Sequence, residues 1–295
     1  MSSAIVECVP NFSEGCDAAK VARIAAAIQS APGVAVLDQT LDADHNRSVI
    51  TFAGPPDAIA EGALRGIESA VAEIDLNRHQ GVHPRIGAAD VVPFVPIAGV
   101  TLAECARLAA HAGEEAWRRF RVPVYLYGAA ATRPDRVALE NVRREVRTEM
   151  DKHPDFGEDV HPTAGATVIG ARNILIAFNV NLETADVAIA RAIARKVRFS
   201  SGGLPHLKAL GMLLRSRGIA QVSMNLTDFE QTPVHLAFQA VREAAARLGV
   251  KVASSEIVGL IPRKALEMAA GCDLQIENFR PEIILEDRLK GFGLL

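Results

Sequence analysis

The sequence predicts an α/β chain of the α+β kind, built as two split βαββαβ layers. Short apolar or alternating runs are interleaved with stripes of helical period, the two periodicities that separate strands from helices. The order strand, helix, strand, strand, helix, strand that runs from Ile5 to Ile97 then returns between Ile174 and Leu260. At 295 residues the chain is long enough for two domains with cores of their own. Such a unit is ferredoxin-like, a sheet with its helices on one face. The open faces of the two sheets also need covering, and packing them toward each other would leave a cleft or tunnel, a common place for ligands. The expected division is residues 1–166 and residues 167–295.

The first strand is Ile5 to Val9, closed by Pro10, which has no N–H to give a ladder. Val21, Ile24 and Ile28 share one helical face. Val34 to Leu37 and Ser48 to Phe52 are strands around a loop holding Asp42, Asp44, His45, Asn46 and Arg47. Gly54-Pro55-Pro56 opens a helix with the stripe Ile59, Ala63, Ile67 and Val71. Val91 to Ile97 is the next strand. Thr101 and Glu104 form a capping box ahead of Leu102, Cys105, Leu108 and Ala112, and Val122 to Tyr127 is a buried strand.

From Ala129 to Ala166 the composition changes. One polar helix, Val137 to about Glu149, is followed by Pro154-Asp155-Phe156-Gly157-Glu158-Asp159, which suits a linker or a binding loop. Periodicity resumes with the strand Ile174 to Asn181 and a helix from Thr184 through Val187, Ala190 and Ile193. Leu207 to Leu214 and Ile219 to Asn225 are strands, Val234, Phe238, Val241, Ala245 and Leu248 stripe a helix, and Val252 to Leu260 ends the set.

Apolar content of 49% and charged content of 23% are those of an ordinary soluble globular protein. A net charge of −3 offers no basic field for nucleic acid or an anionic membrane. Cys8, Cys16, Cys105 and Cys272 are scattered without metal-like spacing and read as small hydrophobes in a reducing compartment. The start of the chain lacks the pattern of a signal peptide and no run approaches a membrane span, so a cytoplasmic location is expected.

The chemistry concentrates between Asn77 and Gly87. Arg78, His79, His83 and Arg85 fall within eight residues, broken by Gly81 and Pro84, between a helical pattern and an apolar strand. Histidine is the side chain suited to proton transfer near neutral pH, and arginine grips carboxylates as a fork. An isolated HxxxHPR would read as a solvated loop. His79 and His83 at i, i+4 could share a metal on a helix, but Gly81 and Pro84 argue against one, no third ligand is near, and no metal is expected. His45 is a second acid–base candidate, although its neighbours make it a turn residue first. Arg47 enters a strand directly after that loop, where it could hold a carboxylate or simply face solvent. His111, His153, His161, His206 and His235 read as surface residues. No P-loop, dinucleotide fingerprint, GxSxG or HExxH is present.

In Ala220 to Leu226 polar residues alternate with apolar ones, which sets Gln221, Ser223 and Asn225 on one face of a strand. Asn179 and Asn181 do the same on another. Amides are poor strand formers, so five amide or hydroxyl groups without a Lys or Glu among them read as a hydrogen-bonding wall ahead of a plain solvated face.

Several short stretches, in order along nearly the whole chain, resemble the formiminotransferase domain, which in animals is fused to a cyclodeaminase. They are Val6 to Gly15, Asn46-Arg47, Gly54-Pro55-Pro56, Arg78-His79 through Asp90, Val122 to Gly128, Pro154 to Gly157, Gly165-Ala166-Thr167, Ala177 to Leu182, Ala220 to Ser223 with Asn225-Leu226, and Asp228-Phe229-Glu230. The resemblance implies glutamate formimidoyltransferase activity. A formimino group would pass from N-formimino-L-glutamate to tetrahydrofolate, as co-substrate, in histidine degradation. It also implies two α/β subdomains with a tunnel and a homodimer.

The family's catalytic histidine is the one in His-Pro-Arg, here His83. Its folate-binding stretch matches Asp155, Phe156, Gly157, Glu158, Asp159, Val160, His161, Pro162 and Thr163, shorter and more acidic here than in the animal enzymes. An acid those enzymes carry beside the first loop matches Thr40 here, so Asp38 or Asp42 would have to stand in for it. The chain ends soon after Phe292-Gly293, so the product is expected to need a separate cyclodeaminase.

One imidazole can serve first as base and then as acid, so His83 is expected to shuttle the proton. Asn46, Arg47 and Arg85 are expected to hold the amino acid, the arginines by its carboxylates. Asn179, Asn181, Gln221, Ser223 and Asn225 are expected to face the pterin. Two rivals stand beside this reading: formyl transfer from 5-formyltetrahydrofolate to glutamate, and a folate- or amino-acid-binding module without chemistry.

Overall fold

The computed structural model describes residues 4–81, 85–148, 153–158, 160–277 and 279–295. The chain divides into two compact units, the first ending at Asn173 and the second beginning at Ile174.

In the first unit the strands are β1 (Ile5–Cys8), β2 (Asn11–Phe12), β3 (Ala35–Asp42), β4 (Arg47–Gly54), β5 (Ala89–Ala98), β6 (Val124–Gly128) and β7 (Thr167–Ala171). The helices are α1 (Ala18–Gln29), α2 (Pro56–Glu73), α3 (Leu102–Phe120) and α4 (Leu139–Thr148). β1 and β2 are two pieces of one strand, since both pair antiparallel with β4 on one side and β5 on the other. Pro10 breaks the ladder between them for want of an N–H, and pairing then resumes instead of ending at the proline. With β3 on the far edge of β4, these strands make the ferredoxin-like order, and β7 and β6 extend it in parallel beyond β5.

Local signals set these helices. Asp17 caps α1 by accepting from Ala19 N and Lys20 N, and Val21, Ile24 and Ile28 face the core. Thr101 and Glu104 complete the capping box of α3. The stripes of α1, α2 and α3 pack on the sheet face that carries Val92, Phe94, Val124, Leu126 and Ile169.

Two expectations change here. The division at 166/167 is wrong by one strand, because Thr167–Ala171 lies in register between β5 and β6 and belongs to the first sheet. Helix α4 also covers part of the second face of that sheet, over β5, β6 and β7. Val142, with Leu139 and Val146 of α4, packs on Val91, Tyr125, Tyr127 and Val168, which alternation places opposite the main core. The region whose composition suits a linker or binding loop thus supplies, through its expected polar helix, a second cover.

The second unit is β8 (Ile176–Leu182), α5 (Val187–Val197), β9 (Leu207–Leu214), β10 (Ile219–Leu226), α6 (Val234–Arg247) and β11 (Val252–Val258), followed by the short helices α7 (Arg263–Met268) and α8 (Leu285–Gly291). Its sheet runs β11-β8-β10-β9, antiparallel throughout, the expected ferredoxin-like order. Phe178, Val180, Val222, Met224 and Leu226 turn one face to the helices, and the amides turn to the other. Among the described residues no helix is long and apolar enough to cross a membrane.

Candidate active site

A small cavity in the first unit is lined by Ser13, His45, Asn46, Arg47, His79, Arg85 and Asp90. Three segments meet there, and Asn46 ties them together. Its Oδ1 accepts from Gly15 N at 2.9 Å and its Nδ2 donates to Gln80 O at 2.8 Å. Asn46 sits at φ 47, a left-handed turn position that asparagine tolerates. Gly15 is required by contact: a Cβ there would run into the backbone at Asp42 O and Arg47 N. The third segment is held by Asp90, whose Oδ1 accepts from Ile86 N at 2.8 Å, and by Ser13 Oγ, which donates to Gly87 O at 2.7 Å. Asp90 Oδ2 in turn faces Arg143 Nη2 of α4 at 2.5 Å, so the polar helix braces the site.

The cavity is cationic. Desolvation pushes the Arg47 guanidinium down to about 10, against the pull of Asp90, so it stays charged at neutral pH. Its Nη2 donates to Asn11 Oδ1. Arg85 Nη2 donates to His79 O at 2.6 Å. Two imidazoles share the lining: His79 Nε2 lies 2.9 Å from Asn46 O, and His45 Nδ1 lies 2.5 Å from Asp42 Oδ2. Guanidiniums and imidazoles around one hollow can hold an anion and move a proton beside it.

In the second unit Gln221 pairs with Asn181 and Ser223 with Asn179 across the β10–β8 ladder. Gln221 Nε2 donates to Asn181 Oδ1 and to Glu256 Oε1, both at 2.9 Å, and Asn179 Nδ2 donates to Glu256 Oε1 at 2.8 Å. Asn181 Nδ2 donates to Ser254 Oγ at 2.9 Å, and Ser254 Oγ to Glu277 Oε2 at 2.8 Å. Arg217 Nη1 closes the set on Glu277 Oε1 at 2.6 Å. Asn179, Asn181 and Gln221 are therefore joined in a network that also takes in the carboxylates Glu256 and Glu277. Gln221 and Asn181 are fully buried, Ser223 is half-buried and Asn225 is exposed. Gln221 Oε1 is buried with no hydrogen-bond partner among the described residues.

Residues 5–172 match the formiminotransferase domain, N-terminal subdomain, and residues 177–289 match the formiminotransferase domain. The chain belongs to the formiminotransferase family. A protein of Streptococcus pyogenes serotype M1 named glutamate formimidoyltransferase is 45% identical, covering 97% of this chain and 99% of its own. One of the same name from Thermoplasma acidophilum is 44% identical over 97% of each chain. Mouse formimidoyltransferase-cyclodeaminase is 42% identical, over 92% of this chain and 53% of the mouse protein. The two domain matches adjoin at the same break that separates the two compact units.

Within this formiminotransferase, the expected substrate residues Asn46, Arg47 and Arg85 share the cavity, though both ends of the Asn46 amide are committed to neighbouring backbone. His83, expected to be the catalytic histidine, lies outside the described residues, as does Asp159 of the expected folate stretch. The start of that stretch is scaffold. Asp155 accepts from Leu126 N, Thr132 Oγ1 and Arg136. Phe156 packs against the main core, and Gly157 abuts Trp117 and Pro123. Beyond it Glu158 and Val160 are exposed, and His161 is half-buried, not a plain surface residue. Its Nδ1 accepts from Ala164 N at 3.0 Å. Pro162 and Thr163 follow, Pro162 O taking a bond from Asn77 Nδ2 and Thr163 O one from Leu76 N.

Sequence reasoning passes over Ser13, Asp90, Arg143, Glu256 and Glu277. The signal for Glu256 exists, since it alternates with Ser254 along β11, but its pairing with Asn179 needs the strand register.

Proposed function

We propose that the chain is a cytoplasmic glutamate formimidoyltransferase that moves the formimino group of N-formimino-L-glutamate to tetrahydrofolate, releasing glutamate and 5-formiminotetrahydrofolate in histidine degradation. The observation that carries this reading is the cationic, imidazole-lined cavity of the first unit in a chain of the formiminotransferase family. The tetrahydrofolate N5 attacks the amidine carbon, the bond from that carbon to the glutamate nitrogen breaks, and one proton travels from N5 to the departing nitrogen. Arg47 and Arg85 hold the glutamate carboxylates, because forked guanidiniums match that geometry. His83 takes the N5 proton, as the catalytic histidine does in the family.

On the second unit, Gln221 offers a buried acceptor of the kind a pterin's N–H groups require. Asn179, Asn181, Ser223 and Asn225 complete that face. The folate contacts of the stretch after Gly157 fall to Glu158, Asp159, Val160, His161, Pro162 and Thr163. The enzyme works as a homodimer, and a separate cyclodeaminase consumes its product.

The test is to mix purified protein with N-formiminoglutamate and tetrahydrofolate and follow folate absorbance. Turnover that needs both substrates is expected. A silent assay with tight folate binding would make the chain a binding module, and turnover only with 5-formyltetrahydrofolate and glutamate would make it a formyltransferase.

A further inference from the structure

The two imidazoles of the cavity are held in opposite ways. A carbonyl oxygen only accepts, so the contact of His79 Nε2 with Asn46 O at 2.9 Å puts the ring proton on Nε2. Its Nδ1, buried and without a partner among the described residues, is then a bare acceptor. Desolvation, helped by the charge of Arg85, depresses the His79 pKa and keeps the ring neutral. His79 can receive a hydrogen bond but has no spare proton to give.

His45 is anchored by a carboxylate. Its Nδ1 lies 2.5 Å from Asp42 Oδ2 while its backbone N donates to Asp42 Oδ1 at 2.9 Å, so one side chain fixes both the ring and the turn that carries it. The His45 side chain is 11% exposed against 46% for Asp42, so the ring points inward while the carboxylate keeps contact with solvent. Burial works to raise the Asp42 carboxyl, but the hydrogen bonds from the His45 ring and backbone outweigh it and hold it below the usual range. A carboxylate on Nδ1 sets an imidazole's tautomer and orientation and stabilises the positive charge it carries during proton transfer. The turn is fixed further by the bonds of neighbouring Asn46 to Gly15 and Gln80.

We propose that His45, positioned by Asp42, is the general acid that protonates the glutamate nitrogen as it leaves. This rests on the reading that Arg47 and Arg85, which line the same cavity, hold the glutamate end of the substrate. The step balances. As the carbon–nitrogen bond to glutamate breaks, its electron pair takes the proton of His45, while the proton displaced from tetrahydrofolate N5 passes to His83. Exchange with water returns both rings to their starting states, and the net transfer is one proton from N5 to the glutamate nitrogen. His45 is the catalytic residue of this step and Asp42 its positioning residue.

The experiment is steady-state kinetics of wild type, His45→Ala, Asp42→Asn and the double variant with N-formiminoglutamate and tetrahydrofolate, with circular dichroism melts on each. His45→Ala is expected to lower kcat by about a hundredfold to ten-thousandfold while its KM for N-formiminoglutamate stays within about threefold. Added imidazole is expected to restore part of its kcat, which a purely structural role would not allow. Asp42→Asn keeps an oxygen for the turn and is expected to lower kcat with little change in KM. The double variant should be no worse than the poorer single, because the two act as one unit. A His45→Ala enzyme with near-normal kcat, a loss confined to KM without imidazole rescue, or additive losses would each overturn the assignment. If His45→Ala fails to fold, Asp42→Asn and its KM-against-kcat split decide in its place. A wild type inert toward this substrate pair would overturn the functional reading, and the assignment with it. An active wild type beside an equally active His45→Ala would overturn the assignment alone.

Discussion

Arg136 Nη1 lies 2.7 Å from Asp155 Oδ2, with both side chains almost wholly buried. The same guanidinium places Nη2 2.5 Å from Glu145 Oε1 and also bonds His153 O, while its plane lies over the Tyr125 ring. One arginine thus fastens α4 and the segment before Gly157 to the edge of the first sheet. Asp155 opens the stretch that family resemblance assigns to folate, yet its oxygens already serve the fold.

Removing Arg136 would leave two carboxylates buried without their cation, a loss typical of about 3–5 kcal/mol. Arg136→Met is therefore expected to unfold at clearly lower urea concentration than wild type. Asp155→Asn should also be destabilised, with folate affinity per folded molecule nearly unchanged. An Asp155→Asn protein of normal stability that binds folate poorly would reverse the assignment of Asp155 to the scaffold.

These roles separate what a sequence exposes from what it hides. The helices of both βαββαβ units are legible because each buries a stripe, and the strands because they are short apolar or alternating runs. β7 escapes because Thr167–Ala171 is five residues long and offers only Val168 and Ile169 as an apolar run before Gly170. α4 is polar because Glu145 bonds inward to Arg136 and Arg143 to the distant Asp90, and composition registers only their charge. The cavity residues are partly legible, since Arg47, Arg85 and His79 lie in motifs. The bracing by Asp90 and the network through Glu256 follow from register and long-range closure.

Glu14 gives a pH dependence with a definite sign. Burial works to raise its carboxyl, but the bonds from Asp17 N, Cys16 N and Lys20 Nζ prevail and leave it below the usual value. A carboxyl held lower in the folded state than in the unfolded one, about 4.3, adds stability that is fully present above that pH. The contribution drains away as pH falls through the folded value. Glu14→Gln should therefore be less stable than wild type at pH 7, and the two urea midpoints should converge on acidification toward pH 3. Midpoints that stay parallel across that range would show that Glu14 ionisation does not support the loop.

Gln221 donates to two acceptors at once, and one of them is the Glu256 carboxylate. Gln221→Leu keeps much of the volume but strands Asn181 Oδ1 and takes a donor from Glu256. A cost of about 1–3 kcal/mol is expected for such a one-sided deletion in a buried network. Urea unfolding with an unchanged slope measures it. A leucine variant as stable as wild type would mean that the amides of this face are not coupled.

Arg47 carries the final prediction, because it separates charge from geometry. Lysine keeps the positive charge but loses the planar fork, and a single ammonium cannot both hold Asn11 Oδ1 and grip a carboxylate with two parallel bonds. Charge-assisted hydrogen bonds contribute about 1.5–3 kcal/mol, so Arg47→Lys is expected to raise KM for N-formiminoglutamate about ten- to hundredfold. KM for tetrahydrofolate should move little, since Arg47 is assigned to the amino acid alone. Varying each substrate in turn at saturating partner concentration distinguishes the two. A defect that falls on tetrahydrofolate would place the folate, not the glutamate carboxylate, against this guanidinium.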